Sequence, residues 1–155
     1  MTSPRYLAAV CALVAAAVAG CGGNGGVAEG AKVNVYVTSP LCGGAEGELA
    51  RSGGEAGDLR LHVVCLPSGQ RSGKLDLAQI GANARRATED SSAIAYIGEP
   101  TRAAARFSEP ILEEAGIAQL PASDGATAMA ELLQALSRAS ADGGSLRQSV
   151  NDELE

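Results

Sequence analysis

Between residues 32 and 120, four short β-type runs alternate with helix-type runs, and this alternation constrains the fold more than any other feature. Lys32-Val33-Asn34-Val35-Tyr36-Val37-Thr38 carries three valines at period two, the pattern of a half-covered strand. Leu59 to Cys65 repeats it, with Leu61, Val63 and Cys65 on one face and His62 opposite. Ala93 to Ile97 is continuously apolar, as a strand covered on both faces should be. Ile117-Ala118-Gln119-Leu120 is a short fourth strand. The order expected from open doubly wound folds is 2-1-3-4, with all four strands parallel and joined by right-handed crossovers.

The intervening runs have helical period. Ala45 to Arg51 predicts a short helix, closed by Gly53-Gly54. Asp76 followed by Gln79 is a capping-box variant that opens a helix through Thr88, with Leu77, Ile80, Ala84 and Ala87 as its apolar stripe. Arg85, Arg86 and Glu89 then face water. A third helix is expected over Pro100 to Ala115, with Ala104, Phe107, Ile111 and Ala115 inward and Pro110 kinking or splitting it. The last strong helix runs from Thr127 to Ser137 on Met129, Leu132, Leu133 and Leu136. Ala139 to Gly144 reads as linker, and Leu146, Val150 and Leu154 could place a further amphipathic turn or fray. A chain of 155 residues allows one such domain. The fold class is therefore α/β, an open doubly wound parallel sheet of about four strands, over residues 32–138 with a tail at 139–155.

Composition excludes several functions. A formal charge of −6 opposes a nucleic-acid footprint. Tyr6, Tyr36, Tyr96 and Phe107 are the only aromatic rings, too few for a stacking platform. One histidine and no dense Cys/His cluster argue against a structural zinc site, so no metal or cofactor is expected. Ser39, Ser68 and Ser123 have no nucleophile-elbow setting, and His62 has no recognisable acid partner. No catalytic residue is expected, and the chain does not read as an enzyme.

Residues 1–20 read as an address. Arg5 precedes the uncharged apolar run Leu7–Val18, which is too short to span a bilayer comfortably. Val18-Ala19-Gly20-Cys21 resembles the lipobox of bacterial lipoproteins, in which the cysteine is acylated after the signal is removed. Gly22-Gly23-Asn24-Gly25-Gly26 suits the flexible tether, residues 21–31, that a lipidated Cys21 requires. The alternative is an ordinary secretory signal with an incidental cysteine. The expected location is the outer, extracytoplasmic face of the cell membrane, held by palmitate-type chains on Cys21.

With Cys11 in the signal and Cys21 acylated, Cys42 and Cys65 remain, at the ends of adjacent strands in an oxidising compartment. A structural disulfide between them is expected. Their spacing is far from C-x-x-C, which disfavours a redox-active pair.

Several stretches resemble the first lobe of type I periplasmic binding proteins, the branched-chain amino-acid receptors of ABC importers. Ala84-Arg85-Arg86-Ala87-Thr88-Glu89-Asp90 leading into Ala93-Ile94-Ala95-Tyr96-Ile97-Gly98 is similar to that family's helix and glycine-closed strand. Pro110-Ile111-Leu112-Glu113-Glu114-Ala115-Gly116-Ile117 and Gln119-Leu120-Pro121-Ala122-Ser123 resemble its following turns, and Gly53-Gly54-Glu55-Ala56-Gly57 its glycine-rich turn. The resemblance covers residues 32 to 125 in order. It implies a ligand-binding edge at the loops after the third and fourth strands, which here hold Gly98, Glu99, Thr101 and Ser123. Glu99 departs from the pattern by putting a carboxylate where an acid-binding loop wants a neutral donor. Glu99 and Thr101 would equally serve as helix caps.

Two functions follow as expectations. One is recognition of a small amino-acid-like ligand for ABC-type uptake or sensing, with the single lobe completed by a homodimer. The other is a non-catalytic surface module that keeps the fold without a ligand cleft and docks an envelope protein.

Overall fold

The computed structural model describes residues 31–139 and 146–154. The expected signal, Cys21 and the tether fall outside these residues, as does most of the expected linker. Strand β1 (Lys32–Thr38) is followed by α1 (Cys42–Arg51), the two-residue β2 (Glu55–Ala56) and β3 (Leu59–Leu66). A small hairpin, β4 (Gln70–Arg71) and β5 (Lys74–Leu75), precedes α2 (Leu77–Thr88). Then come β6 (Ala93–Ile97), α3 (Arg102–Glu114), β7 (Ala118–Leu120), α4 (Gly125–Ala139) and α5 (Leu146–Leu154).

The main sheet has five strands in the order β2-β3-β1-β6-β7. Its four longer strands are parallel and stand in the expected 2-1-3-4 arrangement. The expectation of a purely parallel sheet is corrected by β2, which pairs antiparallel with β3 at the edge. Gly53, Gly54 and Gly57 all have positive φ, and together they turn the chain back on itself before β3 begins. Hairpin β4–β5 forms a second, separate two-stranded sheet.

Helices cover both faces. Val33, Val35 and Val37 point with Leu61 and Ile94 toward α1, α4 and α5, where Met129, Leu132 and Leu136 complete the larger core. Tyr36, Leu66 and Tyr96 point the other way, against Ala84 and Ala87 of α2 and Leu112 of α3. Every residue of β6, an interior strand flanked by β1 and β7, is buried, which is why its sequence is continuously apolar.

Helix α1 begins at Cys42, earlier than the expected Ala45, and it contains Gly43, Gly44 and Gly47 despite their low helical propensity. Packing decides this. A Cβ on Gly44 would lie 3.0 Å from the backbone nitrogen of Ala126, and one on Gly125 would collide with the Leu41 carbonyl. The two glycines let α1 and α4 approach backbone to backbone. Helix α2 opens as expected, the Asp76 carboxylate accepting the Gln79 N–H at 3.1 Å, although Leu77 is 46% exposed at the first helical position.

Helix α3 corrects two expectations. It runs unbroken through Pro110, because Pro110 and Arg106, whose carbonyl the missing N–H would have met, both lie on the exposed face. Its buried stripe is Ala104, Ala105, Ser108 and Leu112, and Phe107 is left 40% exposed. Gly81 of α2 sits beneath that ring, with only 3.5 Å between a would-be Cβ and Phe107 Cε1.

The C-terminal segment is a docked helix. Leu146 and Val150 of α5 are buried in the larger core. Arg147 donates to the carbonyls of Ala93 at 2.8 Å, Asp90 and Ala115 at 3.1 Å and Ser91 at 3.3 Å, while Asn151 donates to Gly116 at 3.2 Å. Arg138 pairs with Glu153 across the α4–α5 junction. Cys42 and Cys65 form the expected disulfide, with Cα atoms 5.7 Å apart, joining the start of α1 to the end of β3. Among the described residues, no helix is long and apolar enough to cross a membrane.

Candidate functional site

The C-terminal edge of the parallel strands carries an open cleft of about 410 Å³. It is bounded by the β6–α3 loop, the first two turns of α3 and the β7–α4 loop. Of the four residues expected there, Glu99, Thr101 and Ser123 line it. Gly98 lies just behind, anchored by its N–H to the Leu120 carbonyl at 3.0 Å and by its own carbonyl, which accepts from Gln119 Nε2 at 3.1 Å. The Gly98–Glu99 peptide bond is cis, as is Ser39–Pro40.

Gly98 has φ of 141° and stands directly against Thr38, so that a side chain would strike Thr38 Oγ1. No other residue type fits this contact between the ends of β1 and β6. Thr101 is the N-cap of α3, its hydroxyl accepting the Ala104 N–H at 3.3 Å. Its hydroxyl is committed to the helix, and Ser123 remains exposed at the opposite wall.

Glu99 is not a cap, and although it borders the cleft its carboxylate is buried. It is 1% exposed, and its Oε1 accepts the Tyr96 hydroxyl at 2.7 Å. Its Oε2 stands against Gly69, where a Cβ would come within 2.6 Å of it. Burial raises the Glu99 carboxyl above the ordinary carboxylate range, and the Tyr96 hydrogen bond only partly opposes that shift. The Tyr96 phenol is also raised, by its own burial first and then by the neighbouring carboxylate.

Among the described residues, the buried side-chain oxygens without a hydrogen-bond partner are Thr38 Oγ1, Glu99 Oε2 and Gln119 Oε1. All three belong to residues at the C-terminal ends of adjacent strands, flanking the Gly98–Glu99 peptide. Unsatisfied buried polar atoms are rare in folded chains, and here they gather at one edge.

The sequence missed Arg102, Arg106, Glu109 and Gln119, which also line the cleft. The i, i+4 spacing of Arg102 and Arg106 after a capping threonine was the available signal. Both guanidinium groups are free of ion pairs among the described residues. Ser108 Oγ accepts from Gln119 Nε2 at 2.8 Å and donates to the Ala105 carbonyl at 3.1 Å, which ties β7 to the floor formed by α3. The wall thus offers two cations near the start of a helix, the Ser123 hydroxyl and the Glu109 carboxylate, a set able to meet the acidic and donor groups of a small polar ligand.

Among the described residues, the chain forms an α/β domain with a mixed, mostly parallel five-stranded sheet and five helices. No protein-family model, curated protein or solved structure matches the chain.

Proposed function

We propose that this chain is a lipid-anchored extracytoplasmic binding domain, akin to one lobe of a type I periplasmic binding protein, that takes a small amino-acid-like ligand for ABC-type uptake or sensing. The observation that carries the reading is the cleft at the strand C-termini, lined by Glu99, Thr101, Ser123, Arg102 and Arg106. Ligands of open α/β sheets bind at this edge of the strands. The ligand's carboxylate would meet Arg102 and Arg106, and its remaining polar groups Ser123 and Glu109. A cleft open on one side suits closure by a second copy of the chain. Attachment to the outer membrane face rests on the lipobox-like Val18–Cys21 segment.

Calorimetric titration of the purified protein with branched-chain amino acids and related small acids tests the reading. A saturable heat, with a matching rise in melting temperature, supports it. The absence of both for every compound overturns it for that ligand class. For the anchor, a Cys21→Ser chain expressed in bacteria should lose labelled palmitate and leave the membrane fraction.

A second reading, a surface interaction module for an envelope protein, is favoured by one feature. Leu75, Leu77 and Phe107 are the large apolar side chains left exposed among the described residues, and Leu77 and Phe107 belong to the packed helices α2 and α3. A folded protein that binds no metabolite and captures an envelope protein through this face would favour that function.

A further inference from the structure

We propose that the Cys42–Cys65 bridge closes a zinc site, and that the reduced chain binds one zinc ion through Cys42, Cys65 and Glu46. The geometry points there directly. Glu46 lies one helical turn beyond Cys42 on α1, so its carboxylate projects on the same side as the Cys42 sulfur. Cys65 reaches the same point from the end of β3. The two sulfur atoms and a Glu46 oxygen all lie within 4.8 Å of one another.

The distances suit a tetrahedral ion. With zinc–sulfur and zinc–oxygen bonds of about 2.3 and 2.1 Å, neighbouring ligands sit about 3.8 Å apart for two sulfurs and about 3.6 Å for sulfur and oxygen. Glu46 Oε1 already stands 3.6 Å from Cys65 Sγ. The two sulfurs must part, which breaking their bond allows, and the Glu46 oxygen already lies within 4.8 Å of both. Two thiolates and one carboxylate make a borderline-soft set that prefers zinc to magnesium or calcium. Solvent water takes the fourth position, since Cys65 and Glu46 are exposed.

Exposure of Cys65 also gives a small-molecule thiol access to the bridge. The thiolate form of that reductant attacks Cys65 Sγ, the Cys42–Cys65 bond breaks, and Cys42 leaves as a thiolate at the N-terminus of α1, where the helix dipole favours negative charge. A second reductant thiol resolves the mixed disulfide, so the protein gains two electrons and the reductant leaves as its disulfide. Zinc then displaces the proton of each protein thiol, releasing two protons per ion at a pH where both are protonated, and the ionised Glu46 completes the set. In this form the ion holds the start of α1 to the end of β3, the junction that the disulfide holds when oxidised. The lack of a histidine cluster hid the site in the sequence, because the third ligand is a glutamate supplied by helical period.

The test uses the full chain carrying Cys11→Ser and Cys21→Ser, so that only Cys42 and Cys65 can react. It is prepared oxidised, and reduced with a dithiol that is then removed without air. Cobalt(II) added to the reduced protein should bind one equivalent with a thiolate-to-cobalt charge-transfer band, and zinc should displace it. The oxidised protein should bind neither metal. Glu46→Gln, at an exposed position, should keep its circular dichroism and lose at least about 10-fold to 100-fold in affinity. If the reduced chain unfolds without metal, zinc should restore its circular dichroism. Equal binding by the oxidised protein or by Cys65→Ser overturns the proposal. So does undiminished affinity in Glu46→Gln, or a reduced chain that zinc neither occupies nor refolds.

Discussion

The Tyr96 hydroxyl donates to Glu99 Oε1 at 2.7 Å, both residues being fully buried at the end of β6, and Glu99 Oε2 has no partner among the described residues. A carboxyl in this setting holds its proton more tightly than an exposed one. Its folded-state affinity for the proton lies above that of the unfolded chain. The stabilisation it contributes is therefore complete at low pH and is lost as pH rises through the folded value.

The expected outcome is that Glu99→Gln, which stays neutral, loses less stability than the natural protein when pH is raised from about 4 to about 8. Urea midpoints at the two pH values check this, with the difference between the two proteins as the readout. Tyr96→Phe, which strips Oε1 of its donor, should cost about 1–3 kcal/mol at either pH.

Asp90 behaves in the opposite sense. Burial pushes its carboxyl up, but hydrogen bonds from Ser92, Asn34 and Tyr36 outweigh that and hold it down at about 2. Its contribution is present above the ordinary carboxylate range and lost as pH falls toward about 2. Asp90→Asn should therefore flatten the acid limb of the stability profile, followed by circular dichroism during acid titration.

Glycines of α1 and α4 separate into two kinds. Gly125→Ala drives a Cβ into the Leu41 carbonyl and should cost about 3 kcal/mol or more, because backbone must move. Gly47 has open space around it, so Gly47→Ala should stabilise by about 0.5–1 kcal/mol through helix propensity. Thermal unfolding of the two variants distinguishes them by sign.

Arg147→Ala removes the donor to four backbone carbonyls and should lower stability by about 1–3 kcal/mol. Arg85→Ala, on the exposed face of α2, should stay within about 0.5 kcal/mol of the natural protein. Chemical denaturation of both proteins tests whether α5 belongs to the folding unit.

Replacing both Cys42 and Cys65 by alanine should cost roughly 3.4 kcal/mol, the loop-closure entropy of the segment that the bridge encloses. The denaturation midpoint should fall, and the slope should rise because the unlinked denatured chain is less compact.

Much of the sheet was legible because its strands signal by period. Val33, Val35 and Val37 alternate, and the run Ala93–Ile97 has no polar interruption, which marks β1 and β6 as strands; their adjacency follows the order of open doubly wound folds. Strand β2 was not legible, since two residues held by flanking glycines carry no period of their own. The stripe of α3 differs at Phe107: the helix turns the small Ala104, Ala105 and Ser108 inward together with Leu112, and the bulky ring stays 40% exposed. At the candidate site, Gly98, Glu99, Thr101 and Ser123 were found as loop positions. The inward turn of Glu99 toward Tyr96 was not, because it depends on the space left by Gly69 from a distant turn. Arg102 and Arg106 are exposed and carry no motif of their own, so they become cleft residues only where α3 stands beside the β7–α4 loop.

The proposed function depends on whether the cleft is where a ligand binds. The decisive measurement is a paired calorimetric titration of branched-chain amino acids into the natural protein and into Ser123→Trp, whose indole would fill the cleft from an exposed position without entering the core. A saturable heat is expected for the natural protein, with stabilisation of about 2.7 kcal/mol at 100 times Kd. Neither is expected in the equally folded Ser123→Trp protein. Equal heats in the two proteins, or none in either, would contradict the proposed function.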